Sequence, residues 1–134
     1  MAVITKATAT AFAVLVLSSL TVLSAPTAQA QGPCGYTNYC IWVDVNFVDP
    51  ICWWPGDDGT YWNDWCTSSG NDHLAANAAS SYHNNGAPAV YDDIRSFRNQ
   101  WYGAPLAWQA FRGEKVSWVG VVENDEAESH YWYG

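Results

Sequence analysis

The chain has 134 residues, with thirteen acids against five basic residues and a formal charge of −8. An acidic surface repels phosphate backbones and gives anionic lipid no polybasic patch, so nucleic-acid binding and electrostatic membrane attachment are excluded. What remains behind a leader is about a hundred residues, enough for one core and one domain.

The leader is residues 1–30. Lys6 supplies a positive start, Ala9 to Leu23 is uncharged and mostly apolar, and Ala28-Gln29-Ala30 is the small-x-small pattern of a signal-peptidase site. The apolar run is short for a membrane span, and no basic stop-transfer cluster follows it. Cleavage after Ala30 is expected, giving a secreted, extracellular chain of residues 31–134, expected to be a monomer. It keeps all thirteen acids and four of the basic residues. Such an excess suits solubility and attracts divalent cations.

Gln31 to Tyr39 is rich in Gly, Pro and Asn and reads as irregular. "CIWVDVNF" then alternates, with Ile41, Val43 and Val45 on one face, which is the period of a strand. A turn at "VDP" leads to a short strand over Ile51 to Trp54, stopped by Pro55-Gly56-Asp57-Asp58-Gly59. Tyr61 to Cys66 is a third aromatic run. "HLAANAASSY" (His73 to Tyr82) is the one helix-compatible stretch, too short and Ser/Asn-rich to stand alone. "NNGAP" breaks the chain, "AVYDDI" opens a second strand series, and "WYGAPLAWQAF" continues it around a Gly turn. "KVSWVGVV" (Lys115 to Val122) alternates strongly, so a strand is expected there. Short strands between turn signals, with hardly any helix, imply an all-β sandwich.

The four cysteines after the leader are Cys34, Cys40, Cys52 and Cys66. An even count in a small exported chain reads as two disulfides, with three possible pairings. Cys34–Cys40 with Cys52–Cys66 is favoured because each bond closes a local loop. The second ring, about fifteen residues, would stabilise by roughly 3 kcal/mol. A zinc site is the weaker use, since no Cys-x-x-Cys pair is present and the histidines are scattered.

The chain also repeats itself. "ANAASSYH" (Ala76 to His83) aligns with "NDEAESHY" (Asn124 to Tyr131) at an offset of 48, and "WVDVNF" (Trp42 to Phe47) aligns with "VYDDIRSF" (Val90 to Phe97) at the same offset. A repeat of that length is one supersecondary unit packing against its copy, here a four-stranded Greek key, with units over about 39–84 and 89–132. An aromatic strand, a turn, more aromatics and then an Asn/Asp-rich corner ending in Ser resembles the βγ-crystallin Greek key. More narrowly, "C-x5-C-x-W-x-D-x-N-F" at Cys34 to Phe47, "AASS" followed by "NNG", and "VYDD" at Val90 to Asp93 are similar to the small secreted actinobacterial proteins grouped with the Streptomyces metalloproteinase inhibitor. The resemblance implies a βγ-crystallin-like sandwich of two Greek keys, disulfide-stapled, and a proteinaceous inhibitor whose partner is an extracellular metalloprotease. Crystallin-like hairpins place Gly after the second aromatic. Tyr102-Gly103 fits that, whereas Phe47-Val48-Asp49-Pro50 has none, so an altered first hairpin is expected.

Three chemistries are open to these residues. The resemblance offers calcium oxygen ligands at Asn77 and Ser80 in the first unit, with Ala76 in the leading position, and at Asn124, Asp125 and Glu128 in the second. The plainer reading is that these side chains bond to backbone in tight corners, and no other cofactor is implied. Catalysis is not expected. Gly-x-Ser-x-Gly and His-Glu-x-x-His are both missing, and His73, His83 and His130 have no zinc-like spacing. The third is aromatic binding. The segment Ile51 to Cys66 holds Trp53, Trp54, Trp62 and Trp65 around Asp57 and Asp58. Neighbouring strand residues face opposite ways, so Trp53 and Trp54 cannot both be core. Exposed Trp on a rigid loop anchors a sugar ring or a partner, which makes a calcium-binding structural module or a Trp-mediated cell-wall or carbohydrate-binding module the alternatives to inhibition.

Overall fold

The computed structural model describes residues 34–68 and 70–134; the leader expected over 1–30 lies outside them. The described residues form nine strands: β1 (Tyr39–Trp42), β2 (Ile51–Trp54), β3 (Trp65–Cys66), β4 (His73–Leu74), β5 (Ser81–Asn84), β6 (Asp93–Asn99), β7 (Gly103–Ala110), β8 (Lys115–Val116) and β9 (Ser129–Tyr133). One sheet runs β2-β1-β5-β8, a second β7-β6-β9, and β3-β4 make a ribbon. All pairings are antiparallel. The two halves of the chain exchange edges. β8 pairs with β5 through Tyr82↔Val116, and Asp58 bridges His130 of β9. The first sheet thus takes its edge strand from the second half, while the second sheet has second-half strands only, with Asp58 bridged to its edge.

Alternation along the strands fills the space between the sheets. Tyr39, Ile41, Trp54 and Tyr82 from the first sheet meet Ile94, Trp108 and Ala110 from the second. Trp54 stacks on Tyr61 at 4.5 Å and Tyr82 on Trp108 at 5.5 Å. Aromatic polar tips must be satisfied when buried. Trp108 Nε1–H donates to the Tyr39 oxygen at 2.9 Å, and that hydroxyl lies 3.0 Å from Ser96 Oγ. The favoured disulfides are the ones formed, Cys34–Cys40 and Cys52–Cys66.

The repeat is real, but its offset is not constant. In the hairpin after β1, Asn46 and Phe47 take φ of 59° and 61°; in the hairpin after β6, Trp101 and Tyr102 take 56° and 62°. Each pair is followed three residues later by a proline, Pro50 and Pro105. Hairpins therefore correspond at an offset of 55, so Trp42–Phe47 matches Phe97–Tyr102, not Val90–Phe97 as composition suggested. Corners do correspond at 48, with Asn77 at φ 53° and Asp125 at φ 58°. The seven extra residues of the first half fall between hairpin and corner, the region that holds the Cys52–Cys66 ring.

The first hairpin is not altered for lack of Gly. Gly103 has an ordinary φ of −69°, and the left-handed positions are taken by non-glycine residues in both copies. That conformation is costly for side-chain-bearing residues, and a buried serine holds each copy in it. Ser81 Oγ accepts from Phe47 N–H at 3.2 Å and donates to Asp44 O at 2.9 Å. Ser129 Oγ accepts from Tyr102 N–H at 3.2 Å and donates to Asn99 O at 2.7 Å. Ser129→Ala is expected to cost about 2 kcal/mol in urea unfolding, because a donor and an acceptor lose their partner; a loss under ~0.5 kcal/mol would mean the serine does not restrain the hairpin.

Other expectations are corrected. The helix-compatible His73–Tyr82 is β4, a corner and the start of β5. Its alanines are buried because the two corners cross there: Asn77 N–H donates to Ala127 O and Asp125 N–H to Ala79 O. Small side chains permit that approach, which outweighs their helix propensity. In "KVSWVGVV" only Lys115–Val116 is strand. Past it the backbone bonds to other segments (Ser117 O accepts from Asn46, Val119 N–H donates to Ser80) and Gly120 turns the chain at φ 96°. Strand β1 stops at Trp42, so Val45 belongs to the hairpin rather than to a face with Ile41. Tyr61–Asn63 is a 3-10 turn, leaving only Trp65–Cys66 as strand in the third aromatic run.

Candidate functional site

The outer face of the first sheet carries the alternate residues Cys40 and Trp42 on β1, opposite Trp53 and Ile51 on β2. Beyond β2 the ribbon continues this surface. Ile51 and Thr67 exchange both backbone bonds, at 3.2 and 2.9 Å, and the next residues inward, Cys52 and Cys66, are disulfide-linked at a Cα separation of 4.2 Å. One step further along, Trp53 and Trp65 come together on the outer side. Both remain in solvent, at 58% and 61% exposure, and they wall an open groove of about 200 Å³ with Ile51, Asp64 and Thr67. Two large aromatic faces held outward on disulfide-joined strands are preorganised, so a ligand would order little on binding.

Trp54, between these residues in sequence, points the other way. It is 9% exposed, stacked on Tyr61 in the core, and is not a free binding residue. It does shape the groove, because its Nε1–H donates to Asp64 Oδ2 at 3.0 Å. Asp64 was not singled out from the sequence; the available signal was an acid wedged between Tyr61-Trp62 and Trp65-Cys66. Trp62 is exposed on its 3-10 turn but does not line the groove.

Asp57 and Asp58 were expected beside the tryptophans and serve the scaffold instead. Asp57 Oδ1 accepts from Trp132 N–H at 2.8 Å. Asp58 Oδ1 accepts from Thr60 N–H at 2.8 Å, and its backbone exchanges both bonds with His130. Burial pushes the Asp58 carboxyl up to about 6, the Thr60 N–H opposing and the neighbouring Asp64 carboxyl adding to the rise.

The corners hold the residues of the calcium expectation. Glu128 Oε1 accepts from Asn77 Nδ2 at 2.8 Å, tying one corner to the other. Asn124 Nδ2 donates to Asp125 Oδ2 at 2.7 Å. Ser80 is buried, and burial raises the Asp125 carboxyl. A hard cation needs six to eight converging oxygens. Here the carboxylates are already bonded to side-chain amides, Ala76 contributes no ligand, and among the described residues no three His, Cys, Asp or Glu gather round one point.

No family model matches the chain, and no curated protein does. Solved structures do match. A domain described as bearing on the evolution of the eye lens βγ-crystallin fold superposes with a TM-score of 0.56 at 15% identity, covering 75% of this chain and 92% of that one. The fold is that of a βγ-crystallin domain. A βγ-crystallin domain from Clostridium beijerinckii gives 0.50 at 14% identity over 72% of this chain and 97% of that one. A double mutant of that bacterial domain gives 0.51 at 15% identity, over 72% and 96%. At these identities the likeness concerns fold, and function rests on the site. The two disulfides fit an oxidising compartment.

Proposed function

We propose that this chain is a secreted, crystallin-fold binding module that grips a ring-bearing polymer, a polysaccharide, in the Trp53–Trp65 groove. The observation that carries the reading is the pair of tryptophans, more than half exposed, that line one groove together. Flat apolar rings stack on the apolar faces of sugars, while an adjoining carboxylate accepts their hydroxyl protons. Asp64 is positioned for that role by Trp54.

Inhibition of a metalloprotease is the second reading. It is favoured by the resemblance and by the Cys52–Cys66 ring, which could meet a protease cleft already ordered, with Trp62 exposed upon it. The tryptophan groove is concave and open to solvent, which suits a bound ring better than insertion into a cleft.

One paired experiment separates them. Titration with neutral β-linked oligosaccharides of four to six sugars should change tryptophan fluorescence saturably, and Trp53→Ala or Trp65→Ala should weaken binding at least tenfold. A thermolysin-type protease should keep its activity with the protein in molar excess. Unchanged fluorescence with stoichiometric loss of protease activity would replace the first reading with the second.

A further inference from the structure

We infer that the groove between Trp53 and Trp65 holds an organic ammonium group, so that within the class proposed above it selects amine-bearing ligands over neutral or acidic ones. The inference rests on the groove reading and adds a charge requirement to it.

The groove's charged lining is one carboxylate. Ile51, Trp53, Trp65 and Thr67 are neutral, and Asp64 is the acid among them. One of its oxygens accepts from Trp54 Nε1–H, which fixes the carboxylate in place, and the Asp58 carboxyl beside it adds to the local acidity. A cation poised over an indole face is drawn to the negative face of the ring, most strongly for Trp. Two such faces with a carboxylate beside them form a cage for a cation, whereas an acidic ligand would meet only repulsion.

Among the described residues no Lys or Arg sits at this place. Four basic residues follow the leader. Arg95 lies 4.1 Å over the Tyr133 ring, Arg98 pairs with Glu126 at 3.4 Å, and Arg112 pairs with Asp92 at 2.7 Å. Lys115 sits on β8, at the opposite edge of the sheet from β2. The surrounding excess of acid also favours approach of a cation. Two sources share the required chemistry: a quaternary ammonium head group and the protonated amine of an amino sugar.

The test titrates the protein from residue 31 onward, following tryptophan fluorescence, with choline, with glucosamine oligomers and with N-acetylglucosamine oligomers of equal length. Glucosamine oligomers should bind at least tenfold more tightly than the acetylated ones. Asp64→Asn should remove that preference by weakening the glucosamine oligomers far more than the acetylated ones, since the amide oxygen still accepts from Trp54. Trp118→Ala, an exposed tryptophan outside the groove, should change nothing. Saturable choline binding marks the quaternary head group as sufficient, whereas binding of glucosamine oligomers alone marks the amino sugar as the source. In the unaltered protein, 0.5 M salt should weaken the amine-bearing ligands and spare the neutral ones, a readout independent of how any variant folds. Equal affinity for amine and acetamide, or a preference untouched by Asp64→Asn and by salt, overturns the charge requirement and leaves the polysaccharide reading standing. If no sugar binds but choline does, the ammonium site stands and the polysaccharide reading falls. If nothing binds, both fall.

Discussion

Acidification from pH 6.5 towards 3 is expected to cost the fold on the order of 4 kcal/mol through one side chain, His130. This histidine is fully buried. Its Nε2–H donates to Gly56 O at 2.9 Å, because a carbonyl can only accept; Nδ1 therefore accepts from the Tyr61 hydroxyl at 2.7 Å. Both nitrogens are satisfied in the neutral ring, and burial pushes its pKa down to about 3. Below pH 6.5 the unfolded chain takes up a proton that the native one refuses, so stability falls as pH falls until about 3. His83 acts with the same sign, lowered to about 4 by burial and then by Lys115. Asp58 opposes them. Its native carboxyl, raised to about 6, binds a proton before the unfolded one does, so it adds stability as pH drops from 6 to 4. Because that carboxyl is only partly buried, its contribution is discounted to about 1 kcal/mol. Between pH 6 and 4, the two histidines outweigh the discounted aspartate, so unfolding takes up more than one proton. His130→Gln should therefore flatten the stability–pH slope in that window by at least half, and Asp58→Asn should steepen it. Denaturant melts at half-unit pH steps measure both. A His130→Gln protein that keeps the original slope would show that another group drives the acid limb.

Individual residues show why some of this fold was legible in the sequence and some was not. Strand β2 and the paired cysteines could be read because alternation and short loops are local properties. The corner repeat could be read because Ser81 and Ser129 make the same two bonds in both copies, and selection for a bond leaves the same residue type behind. The hairpins escaped because their shared property is backbone conformation. Asn46-Phe47 and Trp101-Tyr102 have the same φ and no residue in common, so the eye is drawn to "VYDDIRSF", which has matching composition at the wrong offset. Ala75 to Ala79 misled in the other direction. Alanine there meets a non-local need, the crossing of two corners 48 residues apart, and no window of sequence contains both. "KVSWVGVV" has the period of a strand without a partner to complete it beyond Val116. At the site, the alternation of Trp53 and Trp54 correctly forced one outward, but nothing in the sequence says that Asp64 rather than Asp57 or Asp58 would join it. That choice is made by the indole of Trp54 and the bridge between Asp58 and His130.

The largest covalent effect is expected at the Cys52–Cys66 bond. Replacing both cysteines by alanine should cost about 3 kcal/mol, because the unfolded chain regains the freedom of a ring closed over a separation of fourteen. The Cys34–Cys40 ring spans a separation of only six, and the logarithmic dependence on ring size makes its removal about 0.7 kcal/mol less costly. The two variants should differ more in binding than in stability. Strands β2 and β3 meet through the Ile51–Thr67 bridge and the Cys52–Cys66 bond, and the relative placement of Trp53 and Trp65 depends on both. Without the bond, Trp54 and Tyr61 still stack in the core and keep β2 in its sheet, but Trp65 is left on a two-residue strand tied at one end. The Cys52→Ala/Cys66→Ala protein should therefore melt cooperatively, at lower denaturant, and have lost at least tenfold in affinity for whatever the groove binds. The Cys34→Ala/Cys40→Ala protein should retain that affinity. If the first variant is folded and binds unchanged, the ribbon is held by its packing rather than by its staple, and the disulfide contributes stability alone.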